Sequence, residues 1–448
     1  MFGISRHPAL ARTLLQLTWP TLVAQAAVMA YGIVDTVMAG RISALDLAAV
    51  GIGASIYATL FISLMGVMFA LTPIVAHHVG AGRIEAIGSD VRQSLWLALA
   101  ISALGLVLLH HPEPLLWLTN LAPDTELRVR AYLSAVSWGV PAVLLFRVFF
   151  SFSVGIGRPR PVMVFNLLGL ALKIGLNAVL MFGMAGVPAL GAAGAGLATA
   201  LSMWALALAS WAWCRHEPTY AGYRVFARWE WPRAAAIGEQ LRLGVPICGA
   251  FLVDVSAFTL MALFIARFGA ESSAAHQIAA SIAIFAFIVP ISLGHASSVL
   301  VGQALGASER PLAEAAARLG AGIAFGWGAA LAAVIWLGAP YVAAAFTTDL
   351  AVQTVATPLV TLVALFQWGD AVQGVVAQIL RGYKRTVAAM VILLVPMWGV
   401  GLGGGWWLAF VGPGGAPLGA RGYWIAESAG MALAALGMWL WFRRVART

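Results

Sequence analysis

Twelve stretches of this chain are apolar over a length that crosses a lipid bilayer, which takes about 20 residues of helix. They run approximately over 14–38, 47–76, 93–111, 131–155, 161–183, 190–214, 241–265, 274–302, 318–338, 352–380, 386–411 and 422–442. The short segments between them hold most of the charge. Backbone polar groups in hydrocarbon must bond within their own segment or close a barrel, and continuous runs of this length select helices. Of the 448 residues, 62% are hydrophobic and only 10% charged. A soluble domain carries roughly 25% charged residues, so this chain lacks the polar surface to cover a soluble globule. A soluble enzyme, a disordered chain and a nucleic-acid binder are excluded. The expected fold is all-α and integral to the membrane, with twelve transmembrane helices.

The formal net charge of +9 has a topological reading, because Lys and Arg concentrate in cytoplasmic loops. With the N-terminus inside, Arg41, Arg128, Arg130, Arg267 and Arg421 fall outside, and Arg147 and Lys173 fall within spans. The remaining basic residues, from Arg6 and Arg12 to Arg447, all fall inside. Both termini are therefore expected in the cytoplasm. The first apolar run is too long for a signal-peptide core and reads as an uncleaved span. Cys214 and Cys248 offer neither a disulfide framework nor a metal-ligand spacing.

The longest polar connection, 215–240, lies near mid-chain and prompts a search for a repeat. Leu17-Thr-Trp-Pro20 aligns with Leu243-Gly-Val-Pro246. The same register pairs Ala48-Ala49 with Ala274-Ala275, Ser55-Ile56 with Ser281-Ile282, Gly80-Ala81 with Gly306-Ala307, and Arg92 with Arg318. Shifted by two, Leu190-Gly-Ala-Ala-Gly194 aligns with Leu418-Gly-Ala-Arg-Gly422. Two six-span lobes are expected, residues 1–225 and 226–448. An even number of spans gives them the same orientation, related by a pseudo-two-fold along the membrane normal.

A charge at the centre of a span costs about 2.5–3.5 kcal/mol on insertion scales, so each needs a reason. Asp254 lies midway between Arg242 and Arg267, near the midplane. Asp370 is deep in its span ahead of Arg381, in the partly polar run Phe366-Gln-Trp-Gly-Asp370-Ala-Val-Gln373. Both read as cation or proton sites, with a structural carboxylate as the alternative. Asp35 is shallower and could pair with Arg41. Lys173 is too deep to reach the interface easily, and Asn177 stands one turn on, on the same face. Arg147 reads as structural or snorkelling, and Glu427 as interfacial.

Two like-oriented halves with buried acids suit a secondary transporter working by alternating access. No Walker A sequence occurs, so no ATP motor is encoded. An intramembrane enzyme is the rival class, but Asp370 follows Gln-Trp-Gly rather than Gly-x-Gly, and His216-Glu217 continues Pro-Thr-Tyr rather than completing a zinc motif. A passive single-chain channel fits carboxylates in two halves less well.

The motifs Gly32-Ile-Val-Asp35-Thr-Val-Met-Ala-Gly40, Asp46-Leu-Ala-Ala-Val50, Pro73-Ile-Val-Ala76 and Gly80-Ala-Gly-Arg83 resemble the MATE (multidrug and toxic compound extrusion) transporters, in the NorM-like branch. Ala274-Ala-His-Gln277, Asp370-Ala-Val-Gln373, Leu380-Arg-Gly-Tyr-Lys384 and Pro417-Leu-Gly-Ala-Arg-Gly422 extend the resemblance essentially end to end. It implies two six-helix lobes in a V and export of organic cations and amphipathic drugs in exchange for H+ or Na+. It implies proton coupling at Asp35 and a C-lobe cation site at Asp254 and Asp370, with sodium as one candidate ion. No cofactor or nucleic acid is expected. The partners expected are cationic or amphipathic small molecules and the lipid bilayer, for a monomer in a bacterial inner membrane. Phe366 stands where sodium-coupled relatives carry Tyr, and Lys173 where Asn is expected in a pair completed by Asn177. Lys173 and Asp35 are expected to meet across the N-lobe. A lipid-linked oligosaccharide flippase of a related family is the runner-up, and would need a strongly cationic cavity.

Overall fold

Each of the twelve apolar stretches falls on helix in the computed structural model, which describes residues 8–113, 116, 121–184 and 186–447. Arg6 lies outside the described residues. Among those residues, 11 helices are long and apolar enough to cross a membrane, and one bent pair raises the number to 12. Large apolar side chains stand on the outside, with Leu208 63%, Val334 67% and Leu337 77% exposed. Water would penalise such a surface, whereas lipid tails solvate it. The chain is a multi-pass membrane protein.

The bent pair is Pro123–Ser137 and Val140–Gly155, turned by 46°. Pro141 sits in the first turn of the second helix. It has no N–H to give to residue 137, and its ring crowds that carbonyl, so a straight helix cannot run through.

The chain divides into two compact units, Trp19–Cys248 and Gly249–Thr448, the second of which also includes the start of helix Pro8–Gly40 as far as Thr18. The boundary expected at 225/226 comes earlier than this division, and the reason is the polar connection after the sixth span. Arg92, expected to be a loop residue, is only 9% exposed. Its guanidinium donates to Glu230 at 2.7 Å and to the carbonyls of Arg224 and Val225 at 2.7 and 3.0 Å. Ser89 and Arg228 also donate to Glu230, at 2.8 and 2.7 Å. Trp96 donates to the Glu230 carbonyl at 2.9 Å, and Ser94 donates to Gln240 at 2.8 Å. The connection is thus laced to the start of helix Ile84–His110, and residues up to 248 fold with the first unit.

Within the first unit Asp46 performs a similar task. Ser43 caps helix Ala44–Met68 by accepting from the Asp46 N–H at 3.0 Å. The Asp46 carboxylate accepts from Arg128 at 2.7 Å and from the Ala192 N–H at 3.0 Å, tying three helices together.

In the second unit the penultimate span changes winding. Residues Thr386–Leu394 are α-helical, and Val395–Gly404 form a π-helix with Pro396 in its first turn. Pro396 cannot continue the α ladder, and the glycines that follow let the turn widen. This segment lies backbone to backbone against helix Ala420–Arg447. A Cβ on Gly430 would stand 2.8 Å from the Pro396 carbonyl oxygen, and one on Gly422 2.7 Å from the Ala409 nitrogen. Small residues allow such close approach where no hydrophobic force drives helices together.

The Glu230 cluster gives a pH and mutation prediction. The Arg92 hydrogen bond, with Ser89 and Arg228, holds the Glu230 carboxyl down to about 2 from an ordinary 4.5. A depressed acid stabilises the folded form fully above its unfolded value, and that contribution disappears as pH falls from 4.5 towards 2. Pepsin should cut the 221–233 segment slowly at pH 4.5 and much faster at pH 2. Glu230→Gln leaves a buried guanidinium unpaired, at a cost of roughly 3–5 kcal/mol. Trypsin at pH 7.5 should then cleave at Arg224, Arg228 or Arg233 at least tenfold faster than in the wild type.

Candidate functional site

In the first unit, helix Pro8–Gly40 brings Asp35 against helix Arg160–Phe182, which carries Lys173 and Asn177 one turn apart. Lys173 and Asn177 are 0% exposed and Asp35 6%. The Lys173 Nζ lies 3.0 Å from Asp35 Oδ2, and Asn177 Nδ2 donates to Asp35 Oδ1 at 2.8 Å. The expected approach of Lys173 to Asp35 is found, rather than a pairing with Arg41. Lys173 also donates to Thr199 Oγ1, which passes its own hydrogen to the Ala195 carbonyl at 2.9 Å. Tyr31, one turn before Asp35, donates to the Asn166 carbonyl at 3.0 Å and lays its ring 6.0 Å from the ammonium.

The result is a closed, neutral pair. The Asp35 carboxylate has its counter-charge in a covalently attached ammonium, and that ammonium has an oxygen on a second side. A buried pair of this kind holds together because breaking it strands a charge in a low dielectric. The only polar atom of the group left without a partner among the described residues is Asn177 Oδ1.

Arg147, also in this unit, does not reach outward. It is 8% exposed, with its guanidinium 5.2 Å from the Phe69 ring centre and 4.9 Å from that of Phe150. Aromatic faces stabilise a cation in such a place.

The second unit gathers its acids differently. Asp254 is half-buried on helix Ala234–Ile265, and Asp370 is 8% exposed on helix Leu350–Gly382. Gln367 donates to Asp370 at 3.4 Å from one turn away. Asp254 interacts electrostatically with Asp370, with Glu427 on the last helix and with Arg381. Two readings from sequence are corrected here. Glu427 is not interfacial: it is 0% exposed, on a face shared with Tyr423, Met431 and Ala434. Arg381 is not a solvated end marker: it is 8% exposed, donates to Gln378 at 3.1 Å and stacks 5.3 Å from the Phe251 ring. Helix Leu350–Gly382 stays buried to its last turn, and Arg381 there acts on Asp254. Small neighbours Gly422, Ala426 and Gly430 were the signal that the Glu427 region faces another helix.

Phe366, one turn before Asp370, is 2% exposed. It meets Phe258 and Trp424 edge-on at 5.7 and 5.9 Å, and His276 lies 5.8 Å from Trp424. This aromatic wall offers no oxygen at position 366. Among the described residues, no three His, Cys, Asp or Glu side chains converge closely enough to enclose a metal ion.

A family model described as MatE matches residues 20–179 and 246–407. The chain belongs to the MatE family. The two matched segments begin at Pro20 and Pro246, the residues that head the internal repeat. The probable multidrug resistance protein NorM of Aromatoleum aromaticum is 41% identical over 90% of this chain and 88% of its own. The multidrug resistance protein PmpM of Pseudomonas aeruginosa is 38% identical over 97% of this chain and 92% of its own. Among solved structures, the Vibrio cholerae MATE transporter VcmN in the bent form superposes with a TM-score of 0.87 at 19% identity, covering 98% of each chain. That likeness establishes the MATE fold for this chain.

The Asp35–Lys173 pair predicts strong coupling. Asp35→Asn or Lys173→Met alone should each destabilise the purified protein by roughly 3–5 kcal/mol, since each leaves one buried charge. The double variant should be more stable than either single variant. Thermal unfolding in detergent micelles reads all three.

Proposed function

We propose that this MatE protein is a secondary active multidrug efflux antiporter. It exports organic cations and amphipathic drugs in exchange for H+ or Na+ by alternating access. The observation that carries this reading is the set of carboxylates buried in its membrane-spanning helices, in surroundings where an ionised acid is costly without a cation. The relatives' names, as multidrug resistance proteins, support the cargo class. The distribution of basic residues supports an inner-membrane topology with both termini in the cytoplasm.

The acids work by exclusion. A carboxylate holding a cationic drug cannot also hold the coupling ion, and a carboxyl neutralised by that ion releases the drug. Binding of one therefore lowers affinity for the other, reciprocally. In the first unit Lys173 already occupies Asp35, so exchange there requires the ammonium to withdraw or lose its charge. In the second unit the guanidinium of Arg381 acts on Asp254 alone of the three acids, which leaves more negative charge for cargo and ion to contest. The aromatic wall of Phe258, Phe366 and Trp424 suits the apolar part of an amphipathic cation.

The test is efflux of a fluorescent organic cation from proteoliposomes under separately imposed proton and sodium gradients. Asp254→Asn and Asp370→Asn should each reduce efflux at least tenfold, and Asp35→Asn should reduce it as well. The gradient that drives wild-type efflux identifies the ion. Normal transport by all three variants would refute the carboxylate mechanism.

A further inference from the structure

We propose that Glu427 is a third ion-coupling carboxyl of the second unit, and that the ion it exchanges is a proton. The inference rests on the efflux reading above and deepens it.

Glu427 is completely buried, and neither of its carboxyl oxygens has a hydrogen-bond partner. A structural carboxylate in such a place would accept two or three hydrogen bonds or pair with a cation. Glu427 does neither. Its carboxyl instead lies against bare backbone, in a notch made by the π-helix. A Cβ on Gly401 would stand 2.5 Å from Oε2 and 2.8 Å from Cδ. Only glycine at 401 leaves room for the acid. A π-helix turn is an unfavourable winding that recurs at functional sites, and here its glycine side is what admits Glu427.

The surroundings define the ion. Helices Thr386–Leu394 and Gly405–Phe410 and the π-helix between them contribute no titratable side chain to the last helix. Helix Leu350–Gly382 contributes Asp370 and Arg381, helix Ala234–Ile265 contributes Asp254, and His276 faces Trp424 one turn away. Tyr423 precedes Glu427 by one turn on its own helix. The charge that acts on Glu427 is another acid, Asp254. Arg381 acts on Asp254 and not on Glu427, so an ionised Glu427 would face a negative neighbour with neither a donor nor a cation of its own. Among the described residues no three His, Cys, Asp or Glu side chains converge closely enough to enclose a metal ion. A proton on Glu427 satisfies it, and it leaves when a cationic cargo arrives beside Asp254 and Asp370.

Equilibrium binding of ethidium to the full chain in detergent, measured from pH 5.5 to 9, tests this. Wild-type affinity should rise with pH as protons leave the acids. Glu427→Gln mimics the protonated acid, so it should match wild type at pH 5.5 and bind about tenfold more weakly at pH 9, the effect of one unit of lost coupling. Gly401→Ala, which forces the carboxyl out of its notch but keeps it, should also flatten the profile at alkaline pH. Glu427→Asp should retain a pH dependence with a displaced midpoint, and it serves if the glutamine variant does not fold. Equal weakening at every pH would mark a packing role and overturn the proposal. So would a wild-type profile in both Glu427→Gln and Gly401→Ala, or an affinity that follows sodium concentration rather than pH. Asp254→Asn and Asp370→Asn measured alongside separate the two readings. If these flatten the profile and Glu427→Gln does not, only the role of Glu427 falls. If neither does, the carboxylate mechanism falls with it.

Discussion

Burying a charge where water cannot reach it is the constraint on which the rest of this molecule depends. Most of the chain avoids the cost by being apolar and helical, with its backbone bonds closed inside each span. The exceptions are few and each is met in its own way. Arg147 rests on phenylalanine faces, Asp46 collects donors from two other helices, and Glu230 draws an arginine inward from a neighbouring helix. Asp35 carries its own permanent counter-ion. The acids of the second unit are met least completely: neither oxygen of Glu427 has a hydrogen-bond partner.

The two units therefore treat the same problem unequally although they descend from one repeat. In the first, carboxylate, ammonium and amide form a satisfied group, whose opening needs an outside event. In the second, Asp254 lies within electrostatic reach of both Asp370 and Glu427, and the cation that acts on it, Arg381, also serves Gln378 and the face of Phe251.

Much of this was legible in the residues. The spans could be counted because lipid requires a fixed length of apolar helix, whereas the Asp35–Lys173 meeting was implied by the family resemblance, depth alone having offered Arg41 as the partner of Asp35. The misreadings share a cause. Glu427 and Arg381 were judged by distance from a span end, on the assumption that a charge near an end finds water. The structure packs those ends against other helices. The 215–240 connection read only as the longest polar stretch because its polarity was visible and its partners on helix Ile84–His110, Ser89, Arg92 and Ser94, were not. The π-helix had a warning in Pro396 and the glycines after it, but a winding change depends on what those glycines approach, and that is a tertiary fact.

The division of the chain falls inside two helices rather than between helices. Helix Pro8–Gly40 changes unit at Thr18, and helix Ala234–Ile265 at Cys248. These are the opening helices of the two repeats, and each has a proline, Pro20 or Pro246, within two residues of the crossing. Leu14, from the first helix, sits in the hydrophobic core of the unit built by the second half. Neither half of the gene therefore encodes a self-sufficient body. Each lends its opening turns to the other, as two exchanging subunits would, and the single chain makes that exchange permanent.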